Sequence, residues 1–181
     1  MHSFIRIEEL KSDVIASINT VDTRLGNLSI VSIKDSILFC SFFSANFMMD
    51  YAANKFPDLR FEDSEFGSID KVKEFVDGKF DTQIKLLVHG TDFQIKVWSE
   101  LLKIPYGKTT SYKKIAQALD NLKAIRAVGA AIGSNEHAIL IPCHRVLYHD
   151  GSSGHFKWGA DLKKKLLGIE NPKLIPQKEL F

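Results

Sequence analysis

A cysteine, a histidine and an arginine follow one another directly after a short apolar run in the second half of the chain. The run covers residues 138–141, Pro142 ends it, and Cys143, His144 and Arg145 come next. An apolar run bounded by proline predicts a short buried strand or its equivalent. Proline stops a regular ladder or helix, so Cys143 is expected at a turn. A thiol becomes a nucleophile near neutral pH when a neighbouring base or a lowered pKa favours the thiolate, and His144 could supply that base.

A purely structural role would also explain a buried Cys143. A free cysteine is among the most buried residue types and usually packs as a small apolar side chain. The polar neighbours His144 and Arg145 are unusual for a core position. The residues alone therefore leave a core thiol and a nucleophile equally open.

The composition is that of a globular protein, with 181 residues, 45% hydrophobic and 25% charged. Residues 1–89 hold 10 Lys and Arg against 14 Asp and Glu, a net charge of −4, whereas residues 90–181 hold 14 against 8, a net of +6. This asymmetry suggests an acidic partner such as nucleic acid for the second half, or two differently solvated surfaces. Two cysteines without CxxC spacing, no signal peptide and no long apolar run predict a soluble, cytoplasmic protein with reduced thiols.

The first half, residues 1–89, predicts a small α/β domain. Two β-branched and aromatic runs, 28–33 and 37–43, predict a hairpin around residues 34–36. Helices are expected at 45–55 and 69–76, the second with Ser68 as N-cap and Gly78 beyond its end, and a strand at 84–88. Residues 1–25 are weakly patterned and receive no assignment.

The second half, residues 90–181, predicts helices with short connections. Thr91 is expected to cap a helix that ends near Lys103, and Ser111 to cap a short helix over 112–119. A turn at 120–122 leads to a second short helix that closes at Gly133. This pair predicts a helix-turn-helix, although the same pattern also fits a helical hairpin that binds nothing.

The second helix of that pair is made almost entirely of small residues, with Arg126 as the charge in its middle. A helix that reads bases in the major groove normally carries several polar side chains. A smooth face with one arginine suits a helix pressed into a groove, with the arginine inserted into the base stack. An internally packed helix with an arginine reaching solvent is the alternative.

Residues 90–170 closely resemble the O6-alkylguanine-DNA alkyltransferases, also called methylated-DNA–protein-cysteine methyltransferases. The matching residues are Gly90-Thr91, Phe93-Gln94, Val97-Trp98, Thr110-Ser111-Tyr112, Arg126-Ala127-Val128-Gly129, Gly133, Asn135, Ile141-Pro142-Cys143-His144-Arg145-Val146, Gly154, Phe156-Lys157-Trp158-Gly159, Lys164, Leu166-Leu167 and Glu170. The resemblance implies a ribonuclease H-like α/β N-terminal domain. It also implies a mostly helical, winged-helix-like C-terminal domain that holds the helix-turn-helix, the active site and a C-terminal helix.

By this resemblance, Cys143 accepts the alkyl group from O6 of guanine irreversibly, once per molecule, with chiefly methyl groups as substrates and O4-alkylthymine as a possible second one. His144 and Glu170 would favour the thiolate, with His144 reaching the sulfur through a turn or a water. No cofactor is implied. Some members bind zinc in the N-terminal domain, but His2, Cys40 and His89 lack ligand spacing, so no metal is expected.

The partner implied is double-stranded DNA, bound by a monomer in the minor groove without sequence preference, and no membrane. Tyr112 would push the 3′ phosphate and donate to the base, and Arg126 would replace the extruded nucleotide in the stack. Asn135 matches a hinge residue that braces the active-site segment, although a helix-end cap explains it equally well. Further DNA contacts match Gln94, Lys113, Asn121 and His149, each of which could equally be an ordinary solvated residue.

The substrate pocket implied by the match contains Val146, Phe156, Lys157 and Trp158. Phe156 stands where many members have tyrosine, and the large Trp158 predicts a preference for methyl over benzyl groups. The turn at 120–122 lacks the family's usual Gly and Pro, which puts its geometry in doubt. Two other functions compete: a non-catalytic lesion-binding relative, which would lack the cysteine, and a cysteine hydrolase, which would leave Tyr112 and Arg126 unused.

Overall fold

The computed structural model of the chain describes residues 2–6, 14–63 and 68–174. The chain divides into two compact units, Met1–His89 and Gly90–Phe181. No helix within the described residues is both long and apolar enough to cross a membrane.

The first unit is built on a six-stranded mixed sheet. Its strands are β1 (Ser3–Arg6), β2 (Ile15–Thr23), β3 (Gly26–Ile33), β4 (Ser36–Ser41), β5 (Arg60–Phe61) and β6 (Lys85–Val88), in the order β1-β6-β4-β3-β2-β5. Strands β2, β3 and β4 pair antiparallel, and β6 lies parallel to both β4 and β1. The predicted hairpin is confirmed as β3–β4, whereas β1 and β2 lie in the stretch that received no assignment.

Two helices accompany this sheet, α1 (Ala45–Lys55) and α2 (Ser68–Val76). Helix α1 has the predicted bounds, and the Ser44 side chain accepts a hydrogen bond from the Phe47 N–H at its start. Ser68 is the first residue of α2, so its prediction as N-cap is wrong by one position. Gly78 follows α2 with a φ of 97°, which suits a helix end. The core packs Met48 and Ala52 of α1 against Val31, Phe39 and Leu87 of the sheet.

The second unit is mostly helical, as expected. It contains α3 (Asp92–Leu102), α4 (Tyr112–Ala118), α5 (Ile125–Gly133) and α6 (Ala160–Glu170), with a two-stranded parallel pair of β7 (Thr110–Ser111) and β8 (Val146–Leu147). Thr91 and Gln94 form a capping box at the start of α3. The indole N–H of Trp98 on α3 donates to the Ala131 carbonyl of α5 at 2.7 Å, which fixes these two helices against each other.

Helices α4 and α5 form the predicted helix-turn-helix. Ser111 caps α4 by accepting from the Lys114 N–H. Asp120 takes the left-handed position after α4 with a φ of 53°, and the N–H groups of Asp120 and Asn121 donate to the carbonyls of Gln117 and Ala116. This is the hydrogen-bond pattern of a Schellman motif, with an aspartate where glycine is usual. The turn therefore closes without the Gly and Pro that the sequence lacks.

Candidate active site

The segment that carries Cys143 is buried, but it is not a strand. Residues 138–140 form a turn in which Ile139 has a φ of 65°, and Cys143–Arg145 form a single 3-10 turn. The Cys143 N–H donates to the Ile141 carbonyl at 2.7 Å. The strand prediction for residues 138–141 is therefore wrong, because periodicity alone cannot distinguish buried strand from buried turn. The expectation of a turn at Cys143 holds.

Asn135 is the residue that holds this segment in place. It is buried, and its side-chain amide donates to the carbonyls of His137 and Ile141 and, at 3.1 Å, to Sγ of Cys143. Its side-chain oxygen accepts from the His137 N–H at 2.9 Å. Ser134, and not Asn135, is the C-cap of α5. The amide therefore joins the residue that follows the helix-turn-helix to the sulfur atom, and the hinge role of Asn135 stays a prediction.

The surroundings of Cys143 shift the pKa of its thiol in opposite directions. Burial raises the pKa of the thiol, whereas the Asn135 hydrogen bond and the positive charges of Lys163 and Lys157 lower it. Lys163 is fully buried on α6, and its ammonium donates to the Val146 carbonyl at 2.7 Å. Burial lowers the pKa of Lys163 to about 8. Cys143 is thus a thiol at rest whose anion would have a cation nearby.

A second polar cluster lies beside the cysteine and joins His144, Arg145 and Glu170. His144 Nε2 lies 2.7 Å from Oε1 of Glu170. Arg145 donates to both carboxylate oxygens, and the Gly107 N–H donates to Oε2 at 3.1 Å. The other ring nitrogen of His144, Nδ1, is buried and makes no hydrogen bond within the described part of the chain. Glu170 is therefore shared between the histidine and the arginine.

The pKa shifts in this cluster follow from burial and from these bonds. Burial tends to raise the pKa of Glu170, but hydrogen bonds from His144 and Arg145 outweigh it and lower the pKa to about 2. Burial lowers the pKa of His144, and Glu170 only partly opposes this. His144 is therefore a neutral imidazole at neutral pH, and Glu170 is a carboxylate.

An open cavity of about 340 Å³ leads to Cys143. Its lining residues are Tyr112, Ile125, Arg126, Gly129, Ile132, Gly133, Asn135, Cys143, Tyr148, His155, Phe156, Lys157 and Trp158. Seven of the residues predicted from the sequence are therefore brought together. Val146 is a correction: it is fully buried in β8 and does not line the cavity, because its side chain belongs to the core.

The predicted DNA contacts are divided among three places. Lys113 and His149 are exposed and line a shallow groove together with Lys114, Gln117 and Tyr148. Asn121 is exposed in the turn between α4 and α5, outside both concavities. The side-chain amide of Gln94 makes hydrogen bonds within the protein. Its oxygen accepts from the Thr91 N–H, and its nitrogen donates to Oγ of Ser134. Gln94 thus has a structural role that the sequence analysis missed, and its DNA contact stays a prediction.

Comparison with known proteins identifies the family. The sequence model described as the DNA binding domain of 6-O-methylguanine DNA methyltransferase matches residues 92–172. A methylated-DNA–protein-cysteine methyltransferase from Methanosarcina acetivorans is 38% identical over 128 residues, which cover 69% of this chain and 82% of that protein. The chain belongs to the methylated-DNA–protein-cysteine methyltransferase family. The resemblance inferred from the sequence is therefore confirmed.

Two further members of the methyltransferase family show how far the similarity extends. A Candida glabrata methylated-DNA–protein-cysteine methyltransferase is 50% identical over 82 residues, 45% of this chain, and the chain spans only 40% of that relative's length. The crystal structure of Mycobacterium tuberculosis OGT in complex with DNA is similar with a TM-score of 0.69 and 29% identity, covering 87% of this chain and 94% of that one. The fold is thus shared over most of the chain.

Two residues of the candidate site were not assigned a role from the sequence. Arg145 stood in the matching string but received no function, although its neighbour Glu170 was selected. Lys163 was overlooked in favour of Lys164, yet Lys163 is the buried one. The helical spacing could have found it, because positions 163, 166, 167 and 170 share one face of α6. Within the described residues, no group of three or more His, Cys, Asp or Glu is placed to hold a metal ion.

Proposed function

We propose that this protein repairs DNA by direct reversal, transferring the alkyl group of O6-alkylguanine, chiefly methyl, to Sγ of its own Cys143. The transfer occurs once per molecule, and O4-alkylthymine is a second possible substrate. One observation carries the proposal: the cavity that leads to Cys143 is lined by Tyr112 and Arg126 of the helix-turn-helix. A nucleophile and a candidate DNA-binding motif therefore share one concave site.

Activation of the nucleophile follows from the protonation states of the cluster. His144 is neutral and can accept the thiol proton, and Glu170 stabilises the imidazolium that results. With Nε2 bound to Glu170, Nδ1 is the ring nitrogen left to exchange a proton with Cys143. Lys163 and the Asn135 amide then stabilise the thiolate. This is the nucleophile–base–orienter arrangement of a triad without acyl chemistry.

The transfer itself is an in-line displacement. The sulfur forms a bond to the alkyl carbon while the bond from that carbon to O6 breaks, and the electron pair of the broken bond stays on guanine. The departing base needs a proton, and Tyr112 at the edge of the cavity supplies a hydroxyl for it. Burial, Tyr148 and Cys143 raise the pKa of Tyr112, so its hydroxyl keeps its proton at neutral pH. The product thioether has no leaving route, so the protein is consumed.

The target atom lies inside a duplex, so the nucleotide has to be extruded before it can react. The exposed face of α5 carries Arg126 as its only charge, beside Ile125 and the small residues Ala127, Ala130 and Gly133. Such a face suits the minor groove, where sequence readout is degenerate and repair needs none. Arg126 fills the place of the extruded nucleotide. We expect a monomer to suffice for this, because one cavity of the chain already brings Cys143, Tyr112 and Arg126 together.

The shallow groove beside the cavity suits the DNA backbone. Lys113 and His149 provide donors for phosphates there, and Asn121 adds one from the turn of the helix-turn-helix. The net charge of +6 on residues 90–181 supports an anionic partner. A related protein, Mycobacterium tuberculosis OGT, has been crystallised in complex with DNA. DNA affinity is expected to fall with salt, because counterions are released on binding.

We infer a finer description of the fold along the same lines. Residues 1–89 form a ribonuclease H-like domain, which the antiparallel strands β2–β4 beside the parallel strand β6 support. Residues 90–181 form the alkyltransferase domain, and its helix pair α4–α5 with the short β7–β8 pair is winged-helix-like.

The test is the intact mass of the protein after incubation with a duplex that carries O6-methylguanine. The expected result is a gain of one methyl group in place of one hydrogen, located on the Cys143 peptide. Cys143→Ala should gain nothing. Cys40→Ala is the matched control and should react normally, because Cys40 is buried in the sheet and burial raises its pKa strongly.

Two other outcomes would support the competing functions. An unchanged mass together with tight binding of the lesion would indicate a non-catalytic lesion-binding protein. Repeated turnover of an ester by Cys143 would indicate a hydrolase. Either result would overturn the proposed alkyl transfer.

A further inference from the structure

Tyr148 is the first residue after β8 and begins the loop that leads to Trp158. Its N–H donates to the Ser152 carbonyl at 3.0 Å, and its own carbonyl accepts from the Gly151 N–H at 3.0 Å. Asp150 strengthens this turn, because its carboxylate accepts from the N–H and the hydroxyl of Ser152. The backbone at Tyr148 is therefore held by this turn.

The ring of Tyr148 packs on one side and is open on the other. Its centroid lies 5.3 Å from that of Tyr112, with the two planes tilted by 42°. Gly154 lies against both rings, since a Cβ built there would be 2.9 Å from the Tyr112 hydroxyl and 3.3 Å from Cε2 of Tyr148. Tyr148 nevertheless remains 51% exposed. The exposed part of the ring is therefore free to contact a ligand.

The exposed ring stands where two concavities meet. Tyr148 lines the cavity that leads to Cys143, and it also lines the shallow groove with Lys113, Lys114 and His149. No carboxylate is among the residues that line this groove in the described part of the chain. An aromatic ring beside two lysines is a composition that binds nucleic acid, with the lysines along the backbone and the ring against a base.

We propose that Tyr148 is a nucleotide-binding residue, whose ring packs against the sugar and base of the extruded nucleotide as it passes from the groove into the cavity. The proposal rests on the proposed function and adds a contact that the resemblance to the family did not assign. The sugar and base are the parts of the nucleotide that cross this edge, because the phosphate stays in the groove and O6 enters the cavity. Tyr112 and Gly154 support the ring from behind.

The experiment compares Tyr148→Phe, Tyr148→Leu and Tyr148→Ala in two settings. In a Cys143→Ser background, the dissociation constant is measured for a duplex with one O6-methylguanine and for the same duplex undamaged. With Cys143 present, the single-turnover rate of methyl transfer is measured on the damaged duplex. Thermal unfolding checks that each variant is folded. Phe80→Ala, which removes a similarly exposed aromatic ring from the first unit, is the matched control.

The expected result is a loss of about tenfold in damaged-duplex affinity for Tyr148→Ala and Tyr148→Leu, the order of one lost base–aromatic contact. The transfer rate below saturation should fall in parallel. Tyr148→Phe and Phe80→Ala should match the parent within about twofold on the same scale. Undamaged DNA should show a smaller loss, because its nucleotides stay in the stack.

Two results would overturn this inference alone. Damaged-duplex affinity and rate that are unchanged in folded Tyr148→Ala or Tyr148→Leu would show that the ring binds nothing. A loss in Tyr148→Phe as large as in Tyr148→Ala would assign the effect to the hydroxyl instead of the ring. Absence of methyl transfer in the parent protein would instead overturn the proposed function, and the parent assay separates the two failures.

Discussion

Arg145 binds the carboxylate of Glu170 through two nitrogens, with Nε 2.9 Å from Oε2 and Nη2 2.9 Å from Oε1. Such bidentate pairs are among the stronger polar contacts in proteins. The third nitrogen, Nη1, donates to the Ile104 carbonyl at 2.7 Å. Arg145 therefore connects the active-site turn with the end of α6 and with the segment after α3. Glu170, whose carboxylate bonds to His144, is therefore itself held by Arg145, the residue that follows His144 in the sequence.

Replacing Arg145 should destabilise the protein strongly. Both side chains of the pair are less than a tenth exposed, and Arg145→Met would leave the Glu170 charge with His144 and Gly107 as its partners. Breaking a buried pair costs about 3–5 kcal/mol of unfolding free energy. Urea denaturation measures the unfolding free energy of the variant and of the parent protein. Lys103→Met is the control, since its exposed pair with Glu100 should contribute less than about 1 kcal/mol. Equal losses in the two variants would contradict this prediction.

The stability should also decrease in acid through Glu170. Its ordinary pKa of 4.5 is lowered to about 2 in the folded protein, by hydrogen bonds from His144 and Arg145 that outweigh burial. The unfolded chain therefore takes up this proton first as the pH falls, so the contribution of Glu170 is full above pH 4.5 and is lost as the pH falls towards 2. The unfolding free energy measured across this range should have a shallower pH slope in Glu170→Gln. Identical slopes would show that another carboxylate is responsible.

Local signals in the sequence predicted most of the helices. Thr91 and Ser111 cap α3 and α4 as predicted, because a side chain that accepts a backbone N–H at a helix start leaves a readable pattern. Ser44, which was not singled out in the sequence, caps α1 in the same way. Strand β1 was missed because its partner β6 is distant in the sequence, and β2 was missed although its antiparallel partner β3 follows it directly. A strand is stabilised by its neighbours, so a weak pattern does not exclude one.

For the candidate site, the sequence predicted which side chains meet at the cavity more fully than it predicted their geometry. The string around Cys143 pointed to it as the candidate nucleophile. The turn at Ile139, however, is held by Asn135, which donates to the Ile141 carbonyl and to Sγ of Cys143. Lys163 could not be related to Cys143 either, because the two meet only when α6 packs on the active-site turn. Contacts of this kind depend on tertiary structure, and one sequence does not encode them in a local pattern.

Lys163 should tune the reactivity of Cys143. Its buried ammonium lowers the pKa of the thiol, so Lys163→Met should raise that pKa and move the onset of alkylation to higher pH. The rate at which iodoacetamide alkylates Cys143 is measured by mass spectrometry at pH values from neutral to alkaline. This gives a profile of alkylation rate against pH. Lys165→Met removes an exposed charge from the same helix and should leave the profile in place. A profile that does not move in Lys163→Met would contradict a role for this charge.

Arg126 should matter for duplex DNA and not for a free base. Arg126→Ala should slow methyl transfer from a duplex at least about tenfold, because unstacking a base costs a few kcal/mol and the inserted side chain offsets it. Reaction with free O6-benzylguanine requires no extrusion and should change far less. Lys123→Ala, which removes an exposed charge just before α5, is the control for a general electrostatic effect. Equal losses on both substrates in Arg126→Ala would argue against insertion.

Trp158 should restrict the alkyl groups that reach Cys143. It lines the cavity, its ring lies 5.2 Å from Phe156, and the Lys157 ammonium lies 5.9 Å above it, so the side chain is supported on two sides. O6-benzylguanine should therefore inactivate the parent protein less readily than a methylated duplex does. Trp158→Ala should raise the benzyl rate by about tenfold, the usual scale for one pocket contact, and leave the methyl rate nearly unchanged. Equal potency of the two substrates on the parent protein would show that this indole does not narrow the site.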